Sequence, residues 1–168
     1  VLPRLAAERR VTRLSFPGFG RSEPCCRTIE DIADWTADAM AALGLARETD
    51  VFANGFGGFV ALALAIRHGE RFDRLVIADS GAAFPEAGKG PLRGMADRVE
   101  TDGIAAILET AIGRMFPPDY AAAHPAVVEE RKARLGTVDP AAFAASCRAL
   151  AALDHRPNLS RVENPTLV

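Results

Sequence analysis

Apolar positions in this chain recur every second residue in some stretches and every third or fourth in others, and the two rhythms alternate up to residue 81. Val11-Thr12-Arg13-Leu14-Ser15-Phe16 alternates apolar and polar side chains and stops at Pro17-Gly18-Phe19-Gly20. That predicts a strand followed by a turn-rich loop running on to Arg27. Thr28 stands three residues before Asp31, a spacing in which the hydroxyl and the carboxylate satisfy free N–H groups reciprocally at a helix start. Ile29, Ile32, Ala33, Met40, Ala41 and Leu43 supply the apolar stripe of that helix, and Gly44 ends it. A strand over residues 51–53 follows, then a glycine-rich turn, then a helix over residues 56–67. His68-Gly69 is expected to close that helix with a cation near its C-terminus and a glycine to reverse the backbone. Arg74-Leu75-Val76-Ile77-Ala78 reads as a further strand, ending at Asp79-Ser80-Gly81.

Strands alternating with helices through short joints predict a parallel sheet covered by helices on both faces, an α/β fold. From residue 85 to 158 the pattern changes to four helical stretches broken by Gly88, Gly90, Gly103, Gly113, Pro117-Pro118, Pro125, Gly136 and Pro140, as expected of a helical insertion or cap. Pro165-Thr166-Leu167-Val168 reads as the start of another strand. The chain therefore divides into a partial core over 1–84, a cap over 85–158 and a return to the core over 159–168.

Composition narrows the function classes. At 20 basic against 22 acidic side chains the formal net charge is −2, so no nucleic-acid or membrane partner is expected. No run approaches the ~18 apolar residues of a membrane span, and the first residues lack a signal-peptide pattern, which makes a cytoplasmic location the expectation. Cys25, Cys26 and Cys147 have no metal-ligand spacing and are read as reduced thiols with packing roles; no metal or cofactor is expected.

The chemistry-bearing stretch is Asp50-Val51-Phe52-Ala53-Asn54-Gly55-Phe56-Gly57-Gly58-Phe59-Val60-Ala61-Leu62. A strand that hands over to a helix within two or three residues drives its central residue to positive φ and needs small neighbours, the geometry of a nucleophile elbow of pattern G-x-S-x-G. Ala53, Gly57 and Gly58 meet that demand, and Gly55 stands where the nucleophilic serine would. Gly55 has no oxygen to attack with. What survives is the N–H of Phe56, an expected oxyanion-hole donor, and the positive end of the following helix.

On these residues the chain resembles an internal piece of an α/β-hydrolase, most closely the 3-oxoadipate enol-lactonases and related ester or lactone hydrolases. Arg10 to Leu14 with Pro17-Gly18-Phe19-Gly20-Arg21-Ser22, Thr28-Ile29-Glu30-Asp31, residues 51–64, Arg74 to Ser80, Cys147-Arg148-Ala149-Leu150 with Asp154, and Pro165 to Val168 carry the likeness, in the family's order. The resemblance implies a Ser-acid-His triad whose acid and histidine follow later strands, at positions beyond Val168. It also implies an early strand between the segments matching residues 10–16 and 50–54. The chain alone is therefore expected to be inactive, with an ester or lactone as its small-molecule partner if it has one. Exposed strand edges would favour self-association or a protein partner.

Other candidates are weaker. Asp79, at the end of a strand, is a candidate alternative acid or a simple turn cap. His68, His124 and His155 match no catalytic histidine of the family, and Ser22 belongs to a motif that shapes its loop. Phe84, Phe116, Tyr120 and Phe143 are candidates for lining a substrate pocket or for core packing. A non-catalytic binding protein built on the same fold fits the sequence equally. A dinucleotide site formed by Gly55, Gly57 and Asp79 is the remote alternative, weakened by Val60 at the position of the third glycine.

Overall fold

The computed structural model describes residues 2–25 and 28–168; the expected thiol at Cys26 lies outside them. After a short helix α1 (Leu2–Ala6), helix α2 (Ile29–Ala42) starts as its sequence predicts. Thr28 Oγ1 accepts the Asp31 N–H and the Asp31 carboxylate accepts the Thr28 N–H, both at 3.0 Å. Its far end closes through Gly44 at φ 61°, with the N–H of Leu45 on Met40 and that of Gly44 on Ala41. This is the left-handed helix stop in which two otherwise orphaned carbonyls are satisfied.

Strands β1 (Val51–Asn54), β2 (Leu75–Ala78) and β3 (Thr166–Leu167) form a parallel sheet in that order, with Asn54 beside Ala78 at the C-terminal edge. Between β1 and β2 runs helix α3 (Phe56–His68), buried on every side from Phe59 to Ile66 because it lies in the main core with α2 and β2. The other sheet face carries a row in register, Phe52, Val76 and Leu167, of which Phe52 is 53% and Leu167 67% exposed.

Two sequence expectations are corrected here. Residues 11–16 form no strand: among the described residues they pair with no neighbour, although Leu14 and Phe16 are half-buried and the alternation does mark an inward face. A strand exists only through its ladder, and β1 presents no paired edge to this segment. Gly69 does not reverse the backbone. At φ −58° it leads into a 3₁₀ turn (Gly69–Arg71), and its smallness serves contact instead, since a Cβ there would lie 2.7 Å from Asn164 Oδ1. The Asn164 amide donates to the carbonyls of Gly69, Phe72 and Asp73, tying the approach to β3 onto that turn.

Residues 86–152 form five α-helices among the described residues, not four: α4 (Glu86–Asp102), α5 (Leu108–Met115), α6 (Pro118–Ala123), α7 (Pro125–Leu135) and α8 (Pro140–Ala152). Helix α4 continues through Gly88 and Gly90, which the sequence marks as breakers, and through Pro91 as well. Burial of Leu92, Ala96 and Val99 against α8 and the neighbouring helices outweighs the lost hydrogen bond at the proline. An antiparallel bridge, Ala83 with Asp154, joins the two ends of the helical layer beside the core, supported by the His155 N–H on the Ala82 carbonyl at 2.7 Å, and Ala149 and Leu150 of α8 pack into the main core. No helix among the described residues is long and apolar enough to cross a membrane.

Candidate functional site

The turn from β1 to α3 has the predicted elbow shape. Gly55 takes φ 54°, ψ −123°, a conformation that L side chains adopt only under strain. Its N–H donates to the Ala78 carbonyl at 3.0 Å, and its own carbonyl accepts from Gly58 at 2.9 Å, so both strands and the helix hold the turn. A Cβ on Gly55 would meet nothing within 4 Å: the seat for a side chain is shaped and open. Gly58 is different. A Cβ there would lie 2.4 Å from Ser80 Cβ, so this glycine is where α3 rests on the end of β2. Phe56 opens the helix and offers its N–H with no intrahelical acceptor. Its ring packs edge-on against Phe16, with centroids 6.0 Å apart, and lies 6.3 Å from Phe19.

Asp79 follows Ala78 as Gly55 follows Asn54, so each is the first residue beyond a pair of strand ends that lie in register. Asp79 is the non-glycine residue with positive φ, 51°, among those described. It is exposed, and its carboxylate makes no hydrogen bond or ion pair among the described residues, so it does not cap the following turn.

A cleft of about 860 Å³ opens over the elbow. Asn54, Phe56 and Gly57 line one side and Leu14, Phe16 and Phe19 another, while α4, α5, α7 and α8 supply most of the rest. Of the four candidate aromatics, Phe84 and Phe143 line it. Phe116 and Tyr120 instead stack on each other, and Tyr120 stacks on His124 at 4.2 Å. The loop that frames the cleft is held by Ser22, whose Oγ donates to the Ser15 carbonyl at 2.7 Å. Gly18 packs against α8, where a Cβ would collide with Ala142.

None of the three histidines lines this cleft. His68 Nε2 lies 2.7 Å from Asp34 Oδ1, on the outer side of α2 and α3, where Arg67 also grips Asp34 through two nitrogens. Arg67 above all, with His68, holds the Asp34 carboxyl down at about 2. His155 is buried with Nε2 3.3 Å from the Phe59 carbonyl; burial pushes its pKa down, opposed by the nearby charge of Glu30. Cys147 lines the cleft, but burial pushes its thiol up to about 11 against the pull of Arg114 and Arg148, which keeps it protonated and unreactive.

The charged lining was not legible as such in the sequence. It consists of Arg114 on α5 and of Arg131 and Arg134 on α7, with no carboxylate among the described lining residues. The i,i+3 spacing of Arg131 and Arg134 was the available signal, yet it equally describes a solvated helix face. Arg134 donates to Glu130 at 2.6 Å. Arg114 reaches only Met95 Sδ, at 4.0 Å, and Arg131 has no hydrogen bond or ion pair among the described residues.

The comparisons with known proteins agree with this geometry. The model of the alpha/beta hydrolase family matches residues 1–168. The chain is 35% identical over 112 residues to 3-oxoadipate enol-lactonase 2 of Acinetobacter baylyi, covering 67% of this chain and 41% of that protein. It superposes on the enol-lactonase from Burkholderia xenovorans LB400 with a TM-score of 0.87 at 26% identity, over 98% of this chain and 63% of that one. The thermophilic esterase from Thermogutta terrifontis, solved with malate bound, matches with a TM-score of 0.79 at 28% identity, over 90% of this chain and 57% of that one. The chain spans less than two thirds of the length of each of these proteins. With a family match over its whole length and the elbow in place between β1 and α3, the chain belongs to the alpha/beta hydrolase family.

Proposed function

We propose that this chain carries the nucleophile-elbow part of an ester- or lactone-hydrolase site of the 3-oxoadipate enol-lactonase kind, with residues 85–158 as its cap, and that with Gly55 at the nucleophile position it binds acyl ligands without hydrolysing them. The observation that carries this reading is the backbone of Gly55 at φ 54°, with open space where a side chain would stand. An ester carbonyl over that seat faces the Phe56 N–H and the positive end of a 13-residue helix, which together favour charge developing on the carbonyl oxygen. Binding and partial oxyanion stabilisation remain; Gly55 has no oxygen to attack with, and no histidine is among the described residues that line the cleft. The enol-lactonase and esterase relatives support the ester or lactone class of ligand.

The test is p-nitrophenyl acetate hydrolysis by the purified chain. No burst and no turnover above buffer are expected, since loss of triad function costs on the order of 10⁶ in rate. A burst abolished by an organophosphate would overturn the reading. Gly55→Ser alone is expected to restore nothing, because a serine needs a base within hydrogen-bond reach and no histidine lines the cleft. A rate gain of about a hundredfold from that one change, the scale of general-base assistance, would show that a base is present.

A further inference from the structure

We propose that the neck between the core and the helical layer is an acid-opened latch: when the His155 ring takes up a proton, residues 82–84 and 154–155 part and the ring turns to water, while β1, β2 and α3 stay folded. Three observations carry it. Both ends of the helical layer meet at this point, through the Ala83–Asp154 bridge and the His155 N–H on the Ala82 carbonyl at 2.7 Å. The His155 residue is 4% exposed, with its ring between α2 and α3, so closing the neck buries the ring. Beside it Phe84 packs on Phe59, with centroids 6.0 Å apart, and lines the cleft, so a wall of the cleft moves with the neck.

The neutral ring fits its surroundings. Nε2 lies 3.3 Å from the Phe59 carbonyl and donates to it, which leaves Nδ1 without a proton. The charged groups that act on the ring are Glu30 from α2 and Asp154 from its own turn. Asp154 is already gripped by Arg156 at 2.7 and 2.8 Å, and at the start of α4 Glu86 and Lys89 hold each other. α3 offers the ring a backbone carbonyl, its own charges at Arg67 and His68 being engaged with Asp34 at the far end, and residues 82–84 have no ionisable side chain. A proton added to Nδ1 faces Glu30 Oε1 at 4.0 Å, beyond hydrogen-bond length, and the Glu30 side chain is half-exposed, where water weakens its pull. Burial therefore outweighs Glu30, and the imidazolium is better placed in water than in the closed neck. Opening lets the ring take one proton from solvent, and closing in acid must expel it. An imidazole in water titrates near 6.5, so between pH 7.5 and 5.5 the open fraction rises by up to about tenfold. α8 stays attached through Ala149, which confines the motion to the neck.

The experiment is amide hydrogen exchange of the purified chain by NMR at pH 7.5 and 5.5, with rates corrected for the intrinsic effect of pH. Protection of the His155 N–H is expected to fall severalfold in acid, up to about tenfold, and to stay below that of Leu64, buried in α3, at both pH values. In His155→Gln, which removes the titrating ring, protection of the same amide should be equal at the two pH values. Glu30→Gln keeps the ring and removes the charge that favours its protonation, so the fall should persist and come closer to the full tenfold. This second variant decides the matter even where His155→Gln does not fold. Protection of the His155 N–H that is unchanged or rises in acid, a fall that survives His155→Gln, or one that shrinks in Glu30→Gln overturns the proposal. So does equal protection of the His155 and Leu64 amides, which would make the opening global unfolding.

Discussion

Replacing Gly55 by alanine separates the backbone cost of the elbow from every contact around it. Nothing lies within 4 Å of the new methyl group, so no steric term enters. What remains is the conformation: φ 54°, ψ −123° costs an L residue roughly 1–3 kcal/mol. Against this, alanine stiffens the unfolded chain relative to glycine, returning about 0.4–1 kcal/mol. The net expectation is a loss of about 0–2.6 kcal/mol, equivalent at this chain length to a melting temperature lower by up to roughly 10 °C. Urea unfolding followed by circular dichroism measures it, with an unchanged m-value showing that the same surface unfolds. Gly55→Ser, which places its Cβ in the same open space, should fall in the same range. A stabilising alanine would mean that Gly55 is not held at positive φ. A loss above about 4 kcal/mol, the scale of overpacking or worse, would mean that the seat is occupied.

Gly58→Ala is expected to cost more than Gly55→Ala, because its methyl meets Ser80 Cβ at 2.4 Å and Ile77 Cγ2 at 3.1 Å; equal losses in urea unfolding would refute the close packing of α3 on β2. His155 makes stability depend on pH. Above 6.5, its ordinary value, the ring is neutral folded and unfolded; below it the unfolded chain takes up a proton that the buried ring resists, so stability falls as the pH falls. Urea midpoints on either side of pH 6.5 should diverge in the native chain and diverge less in His155→Gln, and equal slopes would refute this account. Phe52→Thr with Leu167→Thr, which makes polar the exposed row on the sheet, is expected to reduce self-association in size-exclusion chromatography; a native chain already monodisperse and monomeric at high concentration would refute it.

Local signals are legible where one short stretch holds both partners of an interaction. Thr28 and Asp31 satisfy each other within a single turn, Gly44 terminates the helix they begin, and the run from Val51 to Leu62 contains the strand, turn and helix of the elbow. The misreadings all depend on a distant partner. Residues 11–16 have the alternation of a strand but no strand beside them, and Gly69 is small because Asn164 presses on it from 95 residues away. Helix α4 survives its glycines and Pro91 because α8 lies against it. Near the cleft, the shape of the turn at Gly55 and Phe56 is local and legible, whereas Arg114 and Arg131 face the cleft only through the packing of α5 and α7.

The bridge between Ala83 and Asp154 brings the two ends of the helical layer together at one point of the core. Everything between them is, for the sheet, a loop closed at a fixed pair of residues, and the entropy of closing a loop grows only slowly with its length. The roof of the cleft can therefore lengthen, shorten or exchange helices without moving the register of Asn54 with Ala78 or the turn at Gly55. Ligand choice and elbow geometry are physically separable in this molecule: the first can drift with α4 to α7 while the second stays anchored to the strands, with α8 tied into the core through Ala149.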